Sequence, residues 1–299
     1  MTGAGGLIGR PLVARLAADD RIERVVAIDA RPADAPAAPK VRTLTRDTRD
    51  PGIAADLQGT DAVVHLAFRV LDPRDAVAVN VDGSRNVFES AIAAGAGTIV
   101  HASSAAVYGG AADNPVPLTE HDPPRPAPGF VYPRTKAVVE GMLDELAARE
   151  PGVRIVCLRP TTTLAPGSPV LLAGRAYVSF SDFDPPLQFT WVDDVAAAFA
   201  DALHAPGARG VFNVGAPGTV RSSDVARILG VRGLRLPYRL RRAAAAGMSR
   251  MRIPGGVDPG FIDMIRYPIV VDSERARAKL GWRPALDSTG ALRRYAETR

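Results

Sequence analysis

The 299-residue chain is 46% apolar and 23% charged, an ordinary globular balance that supports one large core with a smaller unit attached. Its formal charge of +5 rests on arginines scattered along the chain without the interleaved aromatic platform that single strands require, so no nucleic-acid partner is expected. No run of about 18 apolar residues exists, and the opening MTGAGGLIGRPLVARL is too glycine-broken for a secretory leader, so neither a membrane partner nor export is expected.

Taken in chain order, the first two thirds alternate short β-branched runs with alanine-rich stretches. That pattern predicts an α/β fold: a doubly wound parallel sheet of Rossmann type with a smaller C-terminal substrate domain. Strands are expected at 24–28, 40–44, 62–66, 98–102 and 153–159, and helices at 8–18, 75–94 and 133–149. In the second helix Val77, Val81, Val87, Ala91 and Ala94 fall mostly at three- and four-residue spacings, which gives one apolar face. After Pro160, proline and glycine become dense at 165–169 and 252–260 and the alternation loosens. Residues 1–160 are therefore expected to form a dinucleotide-binding domain and 161–299 a substrate domain, with 191–215 returning to the first.

The segment Thr2-Gly3-Ala4-Gly5-Gly6-Leu7-Ile8-Gly9 places glycines at 3, 6 and 9, at the opening of a predicted helix. Backbone N–H groups in such a turn approach a pyrophosphate closely, and the helix start adds partial positive charge. The strand 24–28 ends in Asp29, twenty residues beyond Gly9, where a carboxylate accepts ribose hydroxyls and repels a 2′-phosphate. NAD is thus favoured over NADP, although nearby Arg31 offers a phosphate contact. The glycine turn should follow a strand, yet only Met1 precedes Thr2. We expect the natural chain to begin several residues upstream. The intact mass of protein from its native source checks this, and a mass matching Met1 as the start refutes it.

Tyr132 and Lys136 stand four residues apart at the start of the helix 133–149, with Pro133 in its permissive first turn. The spacing sets an ammonium near a phenol, and a nearby cation is expected to bring the phenol closer to working pH. Such a phenol exchanges a proton with an alcohol or a forming alkoxide. Ser104, after the strand 98–102, supplies a hydroxyl to hold the substrate oxygen. Lysine is rare here, with Lys40, Lys136 and Lys279 against 34 arginines, so Lys136 is read as a residue kept where arginine would not serve. His65, His101 and Cys157 read as buried structural residues, Asp193 and Asp194 as helix-capping residues, and no metal site is expected. The lone Cys157 also excludes an internal disulfide framework and fits a reducing cytoplasm.

Together, these motifs resemble the extended short-chain dehydrogenase/reductase family, which contains nucleotide-sugar epimerases and dehydratases. The matching segments are Thr2–Gly9, Asp29, Arg46-Asp47, His65-Leu66-Ala67, Asn80-Val81-x-Gly83, Ser103–Gly109, Tyr132-x-x-x-Lys136, Arg159-Pro160, Trp191–Val195, Phe212–Gly215 and Ala278–Pro284. The resemblance implies that Gly3, Gly6 and Gly9 cradle the pyrophosphate, Asp29 the adenosine ribose and Asp47 the adenine edge. It implies that Ala67 lines the cofactor groove, Lys136 binds the nicotinamide ribose, and Asn80 supports the site from the preceding helix. It also implies a homodimer built on the helices 75–94 and 133–149.

Two departures narrow the chemistry. Ala105 and Ala106 stand where the 4,6-dehydratase branch carries an acid pair, so elimination of water by that route is not expected. The stretch 159–191 is short for a nucleotide-sugar enzyme and carries Phe180, Phe183 and Phe189, which either line a smaller, more apolar substrate site or form core. Tyr132-Pro133 adds a resemblance to the hydroxysteroid dehydrogenase branch. The leading expectation is an NAD(H)-dependent dehydrogenase or ketoreductase acting on a small molecule. The alternatives are a nucleotide-sugar epimerase that keeps NAD bound and a non-catalytic dinucleotide sensor.

Overall fold

Residues 1–33, 38–70, 75–168, 176–251 and 257–298 are described in this computed structural model. Helix α1 (Gly9–Ala17) precedes strands β1 (Val25–Asp29) and β2 (Val41–Thr45), and a single turn, α2 (Ile53–Asp56), leads to β3 (Ala62–His65). Helix α3 (Gly83–Ala93), β4 (Thr98–Ala102), α4 (Val131–Arg149) and β5 (Arg154–Pro160) follow. Beyond them come β6 (Thr162–Leu164), β7 (Ala176–Phe180), β8 (Pro186–Leu187), β9 (Phe189–Trp191), α5 (Val192–His204) and β10 (Gly210–Val214). The remainder holds β11 (Val220–Arg221), α6 (Val225–Leu229), β12 (Arg232–Leu236), α7 (Tyr238–Arg250), α8 (Pro259–Met264), α9 (Glu274–Lys279) and α10 (Ser288–Glu297).

The central sheet is parallel, as the alternation of strands and helices predicts. Strands β3, β4, β5 and β10 lie side by side in that order, and β1 pairs with β2. Thr2 joins the two groups by bridging Ile28 on one side and His65 on the other. Its N–H donates to Val64 O at 2.9 Å, and Leu66 N donates back to Thr2 O at 3.1 Å. Ile28 N donates to Met1 O at 2.8 Å on the opposite side. Met1 and Thr2 thus occupy the central slot, with the terminal amine donating to Val26 O at 2.6 Å. Burial pulls that amine's pKa down to about 5.

Both faces of the sheet are covered, so its strands are apolar on both sides. Ile99, Ile155 and Cys157 pack with Val87, Phe88, Val139 and Leu143 under α3 and α4. Val100, Val156 and Leu158 point the other way, to Leu12, Leu16, Val195 and Phe199 of α1 and α5. A smaller core gathers Leu164, Tyr177, Phe189, Trp191, Leu292 and Tyr295. Phe180 packs with Ala245 and Ile262 in a separate cluster, so Phe180 and Phe189 are core residues. Of the proline- and glycine-rich stretches, Pro169 and 252–256 lie outside the described residues.

The predicted helix 75–94 departs from a regular α-helix. Residues Ala78–Asp82 form a π-turn before α3 begins. The cause is local: the Ser84 hydroxyl donates to Asn80 O at 2.5 Å, while the Asn80 amide is drawn to a neighbouring loop. Such turns concentrate at functional sites.

Trp282 ties the C-terminal segment into the large core; it is fully buried and its indole N–H donates to Asp194 O at 2.8 Å. Trp282→Ala should lower unfolding free energy by about 3–5 kcal/mol, read as a reduced urea midpoint at unchanged slope.

Candidate active site

The glycine turn sits where β1, β3 and the start of α1 meet. Gly3 has φ +72°, and a Cβ there would lie 2.6 Å from Ala67 N. A Cβ on Gly9 would lie 2.1 Å from Gly3 O, so the turn closes only with glycine at both positions. Gly6 is less constrained, its Cβ meeting Gly3 O at 3.1 Å. The N–H groups of Leu7 and Ile8, at the mouth of α1, have no acceptor among the described residues. They are free to meet an anion at a helix start.

Asp29 faces this turn from the end of β1. It accepts from Gly5 N at 2.9 Å and from Arg31 N at 3.2 Å. Asp47 lies beyond the adjoining strand β2, where Arg46 N donates to Asp29 O at 2.8 Å. Its carboxylate pairs with Arg49 at 2.8 Å, and that hydrogen bond holds its pKa below the usual range. Free amides at a helix start, a carboxylate beside them and a glycine contact with Ala67 together fit an NAD-type dinucleotide.

From Ala67 the chain leads directly to Phe68, which meets Tyr132 and Lys136. Phe68 stands edge-on to Tyr132, with ring centroids 5.8 Å apart, and its face lies 3.5 Å from Lys136 Nζ. Lys136 is buried and donates to Ala102 O, at the end of β4. Ser104, two residues on, caps a short 3₁₀ turn by accepting from Ala106 N at 3.1 Å. Its hydroxyl faces the Tyr132 phenol and acts to lower that group's pKa. The structure therefore brings Ser104, Tyr132 and Lys136 together at the carboxyl end of the sheet.

The electrostatics differ from the sequence expectation. Burial raises the Tyr132 phenol above its ordinary value of 10.0, and the Ser104 hydroxyl offsets this only in part. Lys136 does not acidify it: Nζ lies 5.9 Å from the Tyr132 ring centroid and is turned toward Ala102 O and Phe68. Burial pulls the ammonium itself down to about 7, against the opposing pull of Cys157 and Glu140.

Asn80 is fully buried and engaged within the protein. Its amide accepts from Arg69 N at 2.7 Å and donates to Arg69 O at 3.0 Å and Thr135 Oγ1 at 3.2 Å. Asn80 thus clamps the loop carrying Phe68 onto α4, one residue from Lys136.

His65 bridges Thr2 and Ser84 at 2.7 and 2.8 Å, and burial lowers its pKa to about 3, so it is a neutral structural residue. His101 stacks on it at 5.4 Å, and the buried Cys157 thiol is pushed up. Asp193 and Asp194 do not cap their helix as expected. Asp193 accepts from the Trp191 indole at 2.8 Å, and Asp194 from Ala285 N at 2.8 Å and Leu286 N at 3.3 Å. Asp194 is held there because the C-terminal segment presents the Ala285 and Leu286 amides, and Asp193 because the Trp191 indole N–H points at it.

Sequence reasoning missed the rings beside Tyr132. Phe130 lies 6.0 Å from Tyr132 and 6.1 Å from Phe261 of α8. Farther out, Arg266 sits over Phe183 at 4.3 Å, Tyr238 at 4.4 Å and Tyr267 at 4.9 Å. Its buried Nε has no partner among the described residues. These residues are dispersed in sequence, and no spacing signal joins them.

Residues 1–215 match the model of the NAD dependent epimerase/dehydratase family. The chain is 29% identical to a UDP-glucose 4-epimerase of Mycolicibacterium smegmatis, over 95% of this chain and 92% of that one. An uncharacterised protein of Mycobacterium tuberculosis is 28% identical over 99% of this chain and 82% of its own length. Among solved structures, MoeE5 in complex with UDP-glucuronic acid and NAD superposes with TM-score 0.76 at 26% identity, covering 99% of this chain and 96% of that one.

The lowered Lys136 pKa sets a pH dependence. Between about 7 and 10.5 the unfolded chain holds a proton on this lysine that the folded chain has released, so its contribution makes stability rise with pH. Relative to Lys136→Met, the wild type without added NAD should gain up to about 1.4 kcal/mol per pH unit across that window. Urea unfolding of both proteins at several pH values checks this, and parallel profiles would refute it.

Proposed function

Because the chain belongs to the NAD-dependent epimerase/dehydratase family, we propose that it transfers hydride between NAD(H) and a secondary alcohol or ketone, with Tyr132 exchanging the proton. The observation that carries this reading is the convergence of Ser104, Tyr132 and Lys136 beside the glycine turn and Ala67.

The dinucleotide, when bound, accepts or supplies the hydride. The Leu7 and Ile8 amides hold its pyrophosphate, Asp29 its adenosine ribose and Asp47 the adenine edge. The Ser104 hydroxyl orients the substrate oxygen toward the Tyr132 hydroxyl. In the reducing direction the phenol gives its proton to the oxygen, a task suited to a group held protonated by burial. Lys136 holds the nicotinamide ribose by leaving the Phe68 face, and an anionic phenolate beside it would draw its pKa back up. Ala105 and Ala106 carry no proton, so the reading excludes elimination of water through these positions.

A nucleotide-sugar 4-epimerase is the second reading, favoured by the 29% identity to the Mycolicibacterium smegmatis enzyme. It requires NAD retained through purification and regenerated each cycle, whereas the first consumes added NAD(H).

Tyr132→Phe keeps the ring and removes the proton. Turnover should fall by about 10²–10⁴-fold while NAD affinity, read by tryptophan fluorescence, stays within a small factor. A ketone and nucleotide-sugar screen at the nicotinamide absorbance band supplies the assay, and full activity in the variant would overturn the Tyr132 assignment.

A further inference from the structure

The chain-wide scatter of arginine conceals one segment. Residues 225–257 contain eight arginines and no aspartate, glutamate or lysine. Since the whole chain carries +5, the remainder has a net charge of −3. The charge asymmetry therefore lies in one stretch, the part of the smaller unit that contains β12 and α7.

The structure fixes the inner side of α7 and leaves its outer side without partners. Inward, Ala245 packs with Phe180 and Ile262, Arg241 lies over Phe180 at 4.2 Å, and Arg242 pairs with Asp263 at 2.9 Å. The helix start is held by Tyr238 N on Asp182 at 2.9 Å. Outward, Leu240 is 54% exposed and Met251 68% exposed. Eleven residues apart, they stand almost in line along the helix, three turns from each other. The exposed arginines Arg239 and Arg250, each just before one of these residues, run along one side of that line, and Arg232 is exposed on β12. None of the three guanidinium groups has a hydrogen bond or ion pair among the described residues.

We infer that this face of α7 and β12 docks on an anionic phospholipid surface. The combination selects the partner. Unpaired guanidinium groups call for a negative surface, and large apolar side chains set among them call for hydrocarbon close behind it. A nucleic-acid backbone supplies only the first. A second copy of the same face sets arginine against arginine. The contact is a surface one, because no described helix is long and apolar enough to cross a membrane. The absence of a long apolar run, on which no membrane partner was expected, bears on spanning a bilayer and not on contact with its surface. The inference is independent of the proposed chemistry, since none of these residues belongs to the site around Tyr132.

The test is flotation of the full chain with vesicles of phosphatidylcholine mixed with phosphatidylglycerol, against phosphatidylcholine alone, at low and high salt. Binding should require phosphatidylglycerol and disappear at high salt. Arg239→Gln with Arg250→Gln should weaken it by about 25-fold, on the basis of roughly five-fold per basic residue near such a surface. Leu240→Ser with Met251→Ser should also weaken it. All four side chains are exposed, and unchanged circular dichroism will show that the variants fold. The inference is overturned if wild type ignores phosphatidylglycerol, or if either double variant binds as tightly as wild type. It is equally overturned if sizing shows that Leu240→Ser with Met251→Ser dissociates a dimer while vesicles bind neither protein.

Discussion

One buried ammonium organises the candidate site. Lys136 sits at the carboxyl end of β4 with its charge directed at the Ala102 carbonyl and the face of Phe68. A lysine taken out of water in this way loses much of its hydration, which is why its pKa falls to about 7. The carbonyl and the ring recover part of that loss without neutralising the charge. The group is thus held at the edge of ionisation, where a small change in its surroundings moves the proton. A ribose diol, a nearby anion or displacement of Phe68 would each do so.

What keeps Phe68 in place is a backbone clamp. Asn80 reads both the N–H and the C=O of Arg69 and reaches Thr135, the residue before Lys136. The price is the π-turn at Ala78–Asp82, which exchanges regular helical geometry for an amide aimed at the loop. Helix α4, the loop after β3 and the helix before β4 therefore meet through one asparagine. Gly3 completes the connection from the other side, because the space a Cβ would take is filled by Ala67 N. The glycine turn and the cluster of Tyr132 and Lys136 both pack on that loop.

The sheet was legible in the sequence because its strands are buried on both faces. Apolar runs bounded by glycine, proline or charge predict 98–102 with the observed ends, and 24–28, 40–44 and 153–159 within one residue of the observed strands. The glycine turn, Asp29 and the Tyr132–Lys136 spacing were legible because each follows a local rule of backbone or helix geometry. What was not legible depends on tertiary surroundings. The shift of the Tyr132 phenol reflects burial and the direction in which Nζ turns, neither of which a four-residue spacing encodes. Phe68 carries no motif, and its role appears only once the loop is clamped. Asp194 looked like a cap because the amides it accepts from lie about 90 residues away in sequence.

Behind the ammonium lies a second layer of charge that limits how far it can shift. Glu140, one turn further along α4, forms a buried pair with Arg159 at 2.6 and 2.9 Å. Glu140 raises the pKa of Lys136, so pairing with Arg159 tempers an anion that would otherwise hold the lysine charged. Arg159 in turn lies over the Tyr108 ring at 4.7 Å, and the Tyr108 hydroxyl donates to Asn213 Oδ1 at 2.8 Å on β10. A buried pair of this kind contributes little net stability, because desolvation offsets most of its attraction. Its consequence is positional: a fixed negative charge stands one helical turn from Lys136 and is held by strands on which the whole sheet depends. The acidity of the site is therefore a property of the packed core as much as of the residues that face the groove.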